Sequence, residues 1–472
     1  ERFICRPLFP STKTRAIINI ITNMMKRVLK AQTCMNHFLS RNQKSIPSGT
    51  NPTTPRRFAA TTTVDLLEGY PSDSDNNQLH FPGGKLGYNP ELSFIPGSNR
   101  ERVPCYRVLN DDGSTIPGSH HAKIDEGLAR KMYEGMATLQ IMDNIFYESQ
   151  RQGRLSFYLT STGEEAVNLA SAAALSVNDV VFAQYREPGV LLWRGFSILD
   201  FANQLFGNSR DLGKGKQMPI HYGSKKHNYF TISSPLTTQL PQAVGAAYSL
   251  KMHNPDSCAV AFTGDGATSE GDFHAAMNFA AVLEVPVVFI CRNNGWAIST
   301  PTSEQFKSDG VVVKGAAYGI KSIRVDGNDA VAVYSAIAAA RATATSEQKP
   351  VLVEAMTYRV GHHSTSDDSS KYRLAKEIEH WTADRDPVSR FRNWVEINGW
   401  WDATSDSEFR RNVKMEVLNA IQEAEKIEKP CLSEIFCDVY DRPTKDLVDQ
   451  KNHLLQFVDA YPNMYPSDVP VR

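Results

Sequence analysis

The stretch CAVAFTGDGATSEGDFHAAMNFAAVLEVPVVFICRNNGWAIST, residues 258–300, contains the pattern that decides the fold. Two apolar runs, 258–262 and 287–291, are each followed by a polar turn. Between them apolar residues recur at helical spacing, which predicts an amphipathic helix: Phe273, Ala276, Met277, Ala280, Ala281 and Leu283. Strand, turn, helix and strand in this order are typical of a parallel sheet with crossover helices. We therefore predict an α/β fold, with a mainly parallel sheet and helices on both faces.

Single residues indicate where this helix begins and ends. Ser269 is expected to cap the amino terminus with its hydroxyl, and Asp272 stands three residues on, as in a weaker form of the capping box. Pro286 is expected to end the helix and open the second strand, because proline cannot continue a helical hydrogen-bond ladder.

Polar residues directly follow both predicted strands. Asp265 lies in a Gly-Asp-Gly turn after the first strand, and Asn294 is the second residue of an Asn-Asn pair after the second. In parallel sheets ligands bind just beyond the carboxyl ends of the strands. Two oxygen donors there, beside a glycine turn and a helix amino terminus, suit a Mg²⁺ ion that holds a diphosphate. The alternative is an ordinary turn at each place. The full Gly-x-Gly-x-x-Gly fingerprint and a glycine-rich P-loop are both absent from the sequence.

Composition excludes several classes of function. The chain has 472 residues, enough for one large core or two domains. A net charge of −1 and a sequence pI near 7.0 imply no nucleic-acid or anionic-membrane partner. No apolar run is long enough to span a bilayer. The seven cysteines are scattered and form no Cys-x-x-Cys pair, which favours a reducing compartment and argues against a zinc site.

The chain divides into four predicted regions. Residues 1–64 are basic, with no acidic residue after Glu1, which is typical of a mitochondrial transit peptide; a disordered basic tail is the alternative. Residues 65–121 are rich in Pro, Gly, Asn and Asp and predict an extended arm. Residues 122–380 form the predicted α/β domain, and residues 381–472 a helical C-terminal region with a tail.

Hydrophobic periodicity predicts further elements along the chain. The predicted helices are 123–152, 164–175, 242–251, 331–345 and 387–428; the predicted strands are 180–183, 318–325, 351–357 and, as a possible last strand, 431–440; residues 447–472 are predicted to be a polar tail.

Three polar stretches stand at the ends of predicted elements. Tyr185 and Arg186 can offer a hydroxyl and a guanidinium to a phosphate, but Arg186 and Glu187 can equally form a local salt bridge. The loop 233–239 can line a cofactor ring, hold a monovalent cation or cap the following helix. The stretch 359–368 carries two His and two Asp. Because its spacing matches no established ligand set, it predicts a polar loop with one catalytic His rather than a zinc or hydrolase site.

Several separated motifs together resemble one family. Gly-Asp-Gly followed by Asn-Asn after an interval of just under thirty residues resembles the thiamine diphosphate motif. With it stand ESQRQGRLSFY at 148–158, GEEA at 163–166, QYREPGVL at 184–191, DLGKGKQMPIHYG at 211–223, SSPLTTQLPQAVGAAY at 233–248, RNNGWAISTPTSEQ at 292–305, SIRVDGND at 322–329 and EAMTYRVGHHSTSDDSSKYR at 354–373. From about residue 81 to the late helices, the chain resembles the alpha subunit of the thiamine-dependent, decarboxylating component of mitochondrial 2-oxo acid dehydrogenase complexes.

Within this family the motifs HHSTSDD, AISTPTSEQ and GDGATSEGD resemble the branched-chain enzymes, whereas pyruvate enzymes typically carry a HGHSMSDP-like loop. The resemblance implies a thiamine diphosphate-binding fold. It also implies oxidative decarboxylation of branched-chain 2-oxo acids, with transfer of the acyl group to the lipoyl domain of an acyltransferase. A pyruvate-type alpha subunit and a non-catalytic paralogue that keeps the fold are the alternatives.

The resemblance also implies site residues, position by position. Mg²⁺ would be held by Asp265, Asn294 and the backbone carbonyl of Trp296. Thiamine diphosphate would be held by Gln184, Tyr185, Arg186, Ser234, Leu236, Asp265, Gly266, Ala267, Arg292, Asn294 and His363. The loop that binds K⁺ in branched-chain relatives is matched by Ser233, Pro235, Thr238 and Gln239. His363 would be the catalytic residue that guides transfer of the acyl group to the lipoyl arm.

Two positions depart from the family pattern. Branched-chain members usually carry Tyr where this chain has Trp296, but the implied ligand there is a backbone carbonyl. Ser364 matches the regulatory phosphorylation site of the family, whereas Leu374 stands where a second serine is expected, which argues against two-site regulation. A phosphate on Ser364 would add a charge of roughly −1.5 to −2 beside His363. We expect that charge to prevent ordering of the loop.

The sequence shows one thiamine-type half, and the resemblance places the activating carboxylate on a separate beta subunit. It implies an alpha2–beta2 heterotetramer in the mitochondrial matrix, with the alpha subunit inactive alone. A lipoylated acyltransferase core, a regulatory kinase and a phosphatase are the further implied partners. No nucleic-acid partner or membrane span is expected.

Overall fold

The computed structural model describes residues 78–81, 84–87, 89–94, 97 and 101–471. The predicted transit peptide lies outside the described residues, as does part of the predicted arm. The chain divides into two units at Phe94. The described part of the first unit includes a hairpin, in which β1 (Gln78–Phe81) pairs antiparallel with β2 (Gly84–Gly87).

A parallel six-stranded sheet forms the centre of the second unit. Its strands are β3 (Val180–Phe182), β4 (Tyr229–Phe230), β5 (Ala259–Gly264), β6 (Val287–Asn293), β9 (Lys321–Asp326) and β10 (Val351–Met356). They are ordered β4-β3-β5-β6-β10-β9, and every neighbouring pair is parallel. A short antiparallel pair, β7 (Trp296–Ala297) and β8 (Thr300–Pro301), follows β6.

Helices connect and flank these strands. They are α1 (Glu126–Arg151), α2 (Glu165–Ala174), α3 (Pro188–Trp193), α4 (Ile198–Phe206), α5 (Gln239–His253), α6 (Gly271–Leu283), α7 (Thr302–Gln305), α8 (Val312–Ala317), α9 (Ala330–Glu347), α10 (Ala375–Ala383), α11 (Pro387–Ile397), α12 (Ala403–Lys426) and α13 (Lys445–Ala460). Short 3-10 helices span Lys225–His227, Gly266–Ser269, Ser369–Lys371, Leu432–Phe436 and Pro462–Met464.

The two faces of the sheet are covered by separate cores. In β5, Val260 and Phe262 belong to one core, while Ala259 and Ala261 belong to the other. This alternation follows from the two-residue period of a strand. Because both faces of the sheet are covered, the central strands β5 and β6 are apolar from Ala259 to Phe262 and from Val287 to Cys291, as is typical of parallel sheets. The smaller core contains the apolar faces of α5 and α6, and the larger contains those of α1, α2, α9, α11 and α12. The predicted α/β fold with a mainly parallel sheet is confirmed.

The amino terminus of α6 differs from the prediction. Ser269 does not cap it, because residues Gly266–Ser269 first form a 3-10 turn and Glu270 then takes the N-cap position, without a side-chain hydrogen bond. Glu270 is the residue with extended backbone angles (φ −75°, ψ 146°), the conformation that a cap position needs. The helix ends at Leu283, where Glu284 is left-handed with φ 48°.

The C-terminal prediction was wrong in two places. Residues 431–440 do not form a strand; Leu432–Phe436 is a 3-10 helix, and the backbone N–H of Leu432 donates to the carbonyl of Pro470 at 2.8 Å instead of joining the sheet. The predicted polar tail contains α13. Its start is capped by Thr444, whose side chain accepts from the N–H of Leu447, and this local signal was missed.

A membrane-spanning helix is not found in the part of the chain that the structure describes, since none there is both long and apolar enough.

Candidate functional site

A cavity of about 240 Å³ opens at the carboxyl ends of β5 and β6. Its lining residues are Gln184, Tyr185, Arg186, Leu236, Gly264, Asp265, Gly266, Ala267, Arg292, Asn294, Trp296, Ala297, Ile298 and His363. The predicted cofactor and Mg²⁺ residues are therefore brought together, with the exception of Ser234. Gly264, Ala297 and Ile298 line the cavity although the sequence did not point to them. A larger open groove of about 930 Å³ runs along β4, and it contains none of the predicted site residues.

The turn after β5 places a buried carboxylate at the cavity. Asp265 is 2% exposed, and its Oδ2 accepts a hydrogen bond of 2.9 Å from Gln305 Nε2. Burial raises the pKa of Asp265, so the ionised form needs a positive partner. A Cβ on Gly266 would run into the side chain of Ala297, and this close approach explains why glycine stands there. The buried carboxylate is therefore suited to bind a cation, and the turn beside it has room only for glycine.

Two further oxygen donors come from the segment after β6. Gly264 lies opposite Arg292 in the parallel register of β5 and β6, so Asp265 and Asn294 leave the sheet at the same edge. Trp296 lines the same cavity, and its carbonyl accepts from Arg359 Nη1 at 3.3 Å, which leaves one of the two lone pairs of that oxygen. A carboxylate, an amide oxygen and a backbone carbonyl are the hard donors that Mg²⁺ binds. These residues fit the ion.

Two buried guanidinium groups also line the cavity. Arg186 and Arg292 are 2% and 1% exposed. Arg292 Nη1 donates to Glu164 at 2.5 Å, and Arg292 Nε contacts Glu187. Its Nη2 has no hydrogen-bond partner, which is unusual for a buried charged group. An unpartnered guanidinium nitrogen in a cavity wall is suited to a phosphate oxygen.

The local salt bridge between Arg186 and Glu187 is not formed. Glu187 instead accepts from the backbone N–H groups of Gln184 and Tyr185, at 2.9 and 3.0 Å, and contacts Arg292. Arg186 donates to the carbonyl of Thr160 at 2.5 Å and to that of His363 at 2.9 Å. Arg186 therefore lies in the cavity wall without a carboxylate at hydrogen-bond distance, since Glu164 is 3.9 Å away.

His363 is held as a neutral base. Burial, with Arg186 and Arg359 beside the ring, lowers the pKa of His363 to about 3. Arg186 Nη2 lies 3.3 Å and Arg359 Nη1 3.5 Å from Nδ1. Because guanidinium groups only donate, Nδ1 must be the acceptor and Nε2 must carry the proton. The backbone N–H of His363 donates to Asp367 at 2.8 Å, which fixes the loop around it.

The loop predicted to bind K⁺ forms a small cluster of oxygen atoms. Thr238 Oγ1 lies 3.0 Å from Ser233 Oγ and 2.9 Å from the carbonyl of Pro235. The side-chain amide of Gln239 donates to the carbonyl of Phe262 at 2.9 Å. Thr238 occupies the N-cap of α5, but its side chain makes no cap hydrogen bond, so the alternative of a helix-capping loop is not supported.

Ser234 and Ser364 lie beside the cavity rather than in its lining. Ser234 Oγ is 2.7 Å from His221 Nε2, and Leu236, two residues on, reaches the cavity. Ser364 is 7% exposed, and its Oγ accepts from the N–H of Ser366 at 3.2 Å. Across the described ranges, no three His, Cys, Asp or Glu residues gather as a metal site, so the zinc alternative for 359–368 finds no support there.

Four residues that bond the cavity wall were not predicted to belong to the site. Glu164, Glu187, Gln305 and Arg359 each bond a residue of the cavity wall. Glu164 stands in the GEEA motif, but acidic residues are common at the start of a helix, so its burial against the cavity wall could not be read from neighbouring residues. The other three carry no local signal either.

Comparison with known proteins agrees with this geometry. The family model described as dehydrogenase E1 component matches residues 133–433. The chain is 64% identical over 408 residues to 2-oxoisovalerate dehydrogenase subunit alpha 1, mitochondrial, of Arabidopsis thaliana, which covers 86% of each protein. It is 53% identical to the alpha subunit of Dictyostelium discoideum, over 77% of this chain and 83% of that protein. It is 48% identical to the human alpha subunit, over 83% of this chain and 88% of that protein.

Proposed function

The chain belongs to the dehydrogenase E1 component family, and we propose that it is the alpha subunit of a mitochondrial branched-chain 2-oxo acid dehydrogenase. Its reaction is the oxidative decarboxylation of a branched-chain 2-oxo acid with thiamine diphosphate. The acyl group then passes to the lipoyl domain of an acyltransferase. The gathering of Asp265, Asn294 and Arg292 at one sheet edge is the observation that carries this proposal.

Thiamine diphosphate, when bound, supplies the carbanion chemistry and the electron sink, and the protein supplies position and electrostatics. Asp265, Asn294 and the carbonyl of Trp296 would hold Mg²⁺ against the diphosphate. Arg292, through its free Nη2, and Arg186 would bind phosphate oxygens. The oxygen cluster around Thr238 would hold K⁺ and so stabilise the segment that carries Leu236 into the cavity.

His363 has the properties needed to orient an acyl acceptor. It stays neutral far below physiological pH, and its Nε2 carries a proton because Nδ1 faces guanidinium donors. A neutral imidazole N–H can donate to a developing negative charge without adding a positive charge beside the cofactor. We propose that His363 in this way guides transfer of the acyl group to the lipoyl arm.

The site is incomplete within this chain. Its cavity of about 240 Å³ is smaller than typical small-ligand sites, which measure roughly 300–1,000 Å³. The cavity residues include no glutamate that could activate the aminopyrimidine ring. We propose that a beta subunit supplies this carboxylate in an alpha2–beta2 heterotetramer, working in the mitochondrial matrix with a lipoylated acyltransferase core.

The test is dye-coupled decarboxylation by the chain co-expressed with its beta partner, with Mg²⁺ and thiamine diphosphate. The substrates to compare are 3-methyl-2-oxobutanoate, 4-methyl-2-oxopentanoate and pyruvate, and the chain alone is the control. A strong preference for the two branched acids supports the proposal. Preference for pyruvate would move the enzyme to the sister branch, and inactivity on all three would favour a non-catalytic paralogue. Full activity of the chain alone would refute the divided site.

A further inference from the structure

We propose that Glu164 is a positioning residue, which orients the Asn294 side chain for metal binding and holds Arg292 with one nitrogen free for a phosphate. This inference rests on the metal and diphosphate site proposed above. It concerns a residue that would touch neither ligand.

Glu164 stands immediately before α2, and its side chain leaves that helix. It occupies the N-cap, where a short side chain such as Asp or Ser normally accepts from the free N–H groups of the helix. Here the side chain makes no cap hydrogen bond. It is fully buried, and its carboxylate reaches the segment after β6 instead. A buried carboxylate that leaves its own helix uncapped must be stabilised by the groups it meets there.

Both carboxylate oxygens of Glu164 accept strong hydrogen bonds. Oε1 accepts from Asn294 Nδ2 at 2.7 Å, and Oε2 accepts from Arg292 Nη1 at 2.5 Å. Arg186 Nε lies 3.9 Å from Oε1. One buried side chain therefore contacts the wall of the cavity through a predicted metal ligand and two predicted phosphate ligands.

The contact with Asn294 decides which end of its amide faces the cavity. Asn294 Nδ2 donates to Glu164 Oε1, so the NH₂ group of the amide points to Glu164. Oδ1 must then point away from Glu164. It lies on the side of Trp296 and accepts a hydrogen bond of 3.2 Å from the backbone N–H of that residue. The oxygen thereby lies beside Trp296, whose carbonyl is one of the other two proposed metal ligands, and Asp265, the third, lines the same cavity.

The contact with Arg292 acts in the same way on the phosphate side. Glu164 accepts a hydrogen bond from Nη1 and Glu187 forms an ion pair with Nε, so Nη2 is the nitrogen that has neither a hydrogen bond nor an ion pair. The guanidinium is planar, and two fixed nitrogens determine where the third one points. The two buried glutamates thus fix the orientation of Arg292, the residue proposed to bind a phosphate, before the cofactor binds.

A matched control stands next in the chain. Glu165 is also fully buried, but its Oε2 accepts from the backbone N–H of Gly163 at 2.9 Å, and it contacts none of the cavity residues. Burial raises the pKa of Glu165 well above its ordinary value, so a neutral Gln is a close mimic. Glu164→Gln and Glu165→Gln make the same chemical change at neighbouring buried positions.

The experiment uses the chain co-expressed with its beta partner and Mn²⁺ as a spectroscopic probe of the Mg²⁺ site. Free Mn²⁺ is measured by electron paramagnetic resonance at saturating thiamine diphosphate. In Glu164→Gln one acceptor becomes a donor, so the Asn294 amide loses its fixed orientation. We expect Mn²⁺ affinity to fall roughly 10- to 100-fold, as is usual when the partner of a metal ligand is removed. Glu165→Gln should bind Mn²⁺ as the wild type does.

A second background separates orientation from a structural role. In Asn294→Asp both side-chain oxygens can bind the metal, so no orientation is needed. Adding Glu164→Gln to Asn294→Asp should then cost no affinity, and it also removes a like charge. An equal loss in both backgrounds, or wild-type affinity in Glu164→Gln, would overturn the proposal.

Folding and metal binding are tested separately. If Glu164→Gln alone fails to fold, the double variant is compared with Asn294→Asp, and a lower Mn²⁺ affinity of the double variant overturns the proposal. Absence of thiamine diphosphate-dependent Mn²⁺ binding by the wild type would refute the metal site itself. If the wild type binds Mn²⁺ and Glu164→Gln binds it equally well, the metal site stands and only the positioning role of Glu164 is refuted.

Discussion

Acid is expected to destabilise the wild-type chain more than a His363→Gln variant. Burial, together with Arg186 and Arg359, lowers the pKa of His363 from 6.5 to about 3. In the unfolded chain the imidazole is exposed to water and keeps its ordinary pKa. As the pH falls through 6.5, the unfolded state therefore binds a proton that the folded state does not bind. Stability is lost from there down to the folded-state pKa.

The expected size follows from the two pKa values. One pKa unit corresponds to about 1.4 kcal/mol. Between pH 7 and pH 5 the unfolded state takes up nearly the whole proton while the folded state takes up almost none, which gives a loss of about 2 kcal/mol. A Gln side chain has no proton to gain in this range, and its carbonyl can still accept from Arg186. The variant should lack this part of the pH dependence.

The assay is urea unfolding at a series of pH values, followed by tryptophan fluorescence. Both proteins are compared at one protein concentration, because subunit association makes apparent stability depend on concentration. The difference between the two free energies of unfolding should be constant above about pH 7 and change by about 2 kcal/mol by pH 5. A difference that stays constant down to pH 5 would show that His363 is protonated as easily in the folded state as in water, and would refute the lowered pKa.

Three further outcomes are expected. Asp265→Asn should abolish Mg²⁺-dependent binding of thiamine diphosphate, measured by calorimetry. The same variant should raise the Tm of the metal-free protein at pH 7, because the raised pKa of Asp265 means that its ionised form is unfavourable without a cation; a lower Tm would contradict this. Gly266→Ala should cost roughly 1–3 kcal/mol of stability, as overpacking does, and weaken cofactor binding, since its Cβ meets Ala297; unchanged affinity in the same titration would refute the close approach. Ser364→Glu should abolish activity with lipoyl protein, whereas Ser366→Glu, at an exposed position in the same loop, should retain it; full activity of Ser364→Glu would end the regulatory hypothesis.

Much of the fold was predictable because its signals are local. The runs 258–262 and 287–291 are apolar over their whole length, and they form strands whose two faces are buried. Boundaries were less predictable. Ser269 has the chemistry of a cap, but the chain leaves β5 through a 3-10 turn, and the cap position falls on Glu270. The run 431–440 has the composition of a strand, but its segment pairs with residue 470 instead of the sheet.

The residues of the site could be predicted where they directly follow a strand, because the ends of strands can be recognised from the sequence. Asp265 and Asn294 follow apolar runs on neighbouring strands, so their meeting at one edge follows from parallel pairing alone. Arg359 and Gln305 carry no comparable signal. Each meets the cavity wall through a contact between distant segments of the chain. Arg359 is 63 residues from Trp296 in the sequence, and Gln305 is 40 residues from Asp265.

By itself the sequence determined which chemical groups are available and at which end of the sheet they emerge, because strand period and turn chemistry depend on neighbouring residues. Only the tertiary structure decided the state of those groups. Asn294 presents its oxygen because Glu164, 130 residues away, takes its NH₂ group. His363 stays neutral because the removal of water, and then the charges of two neighbouring arginines, lower its pKa. Orientation and protonation are set by long-range contacts and by burial, which exist only once the chain has folded.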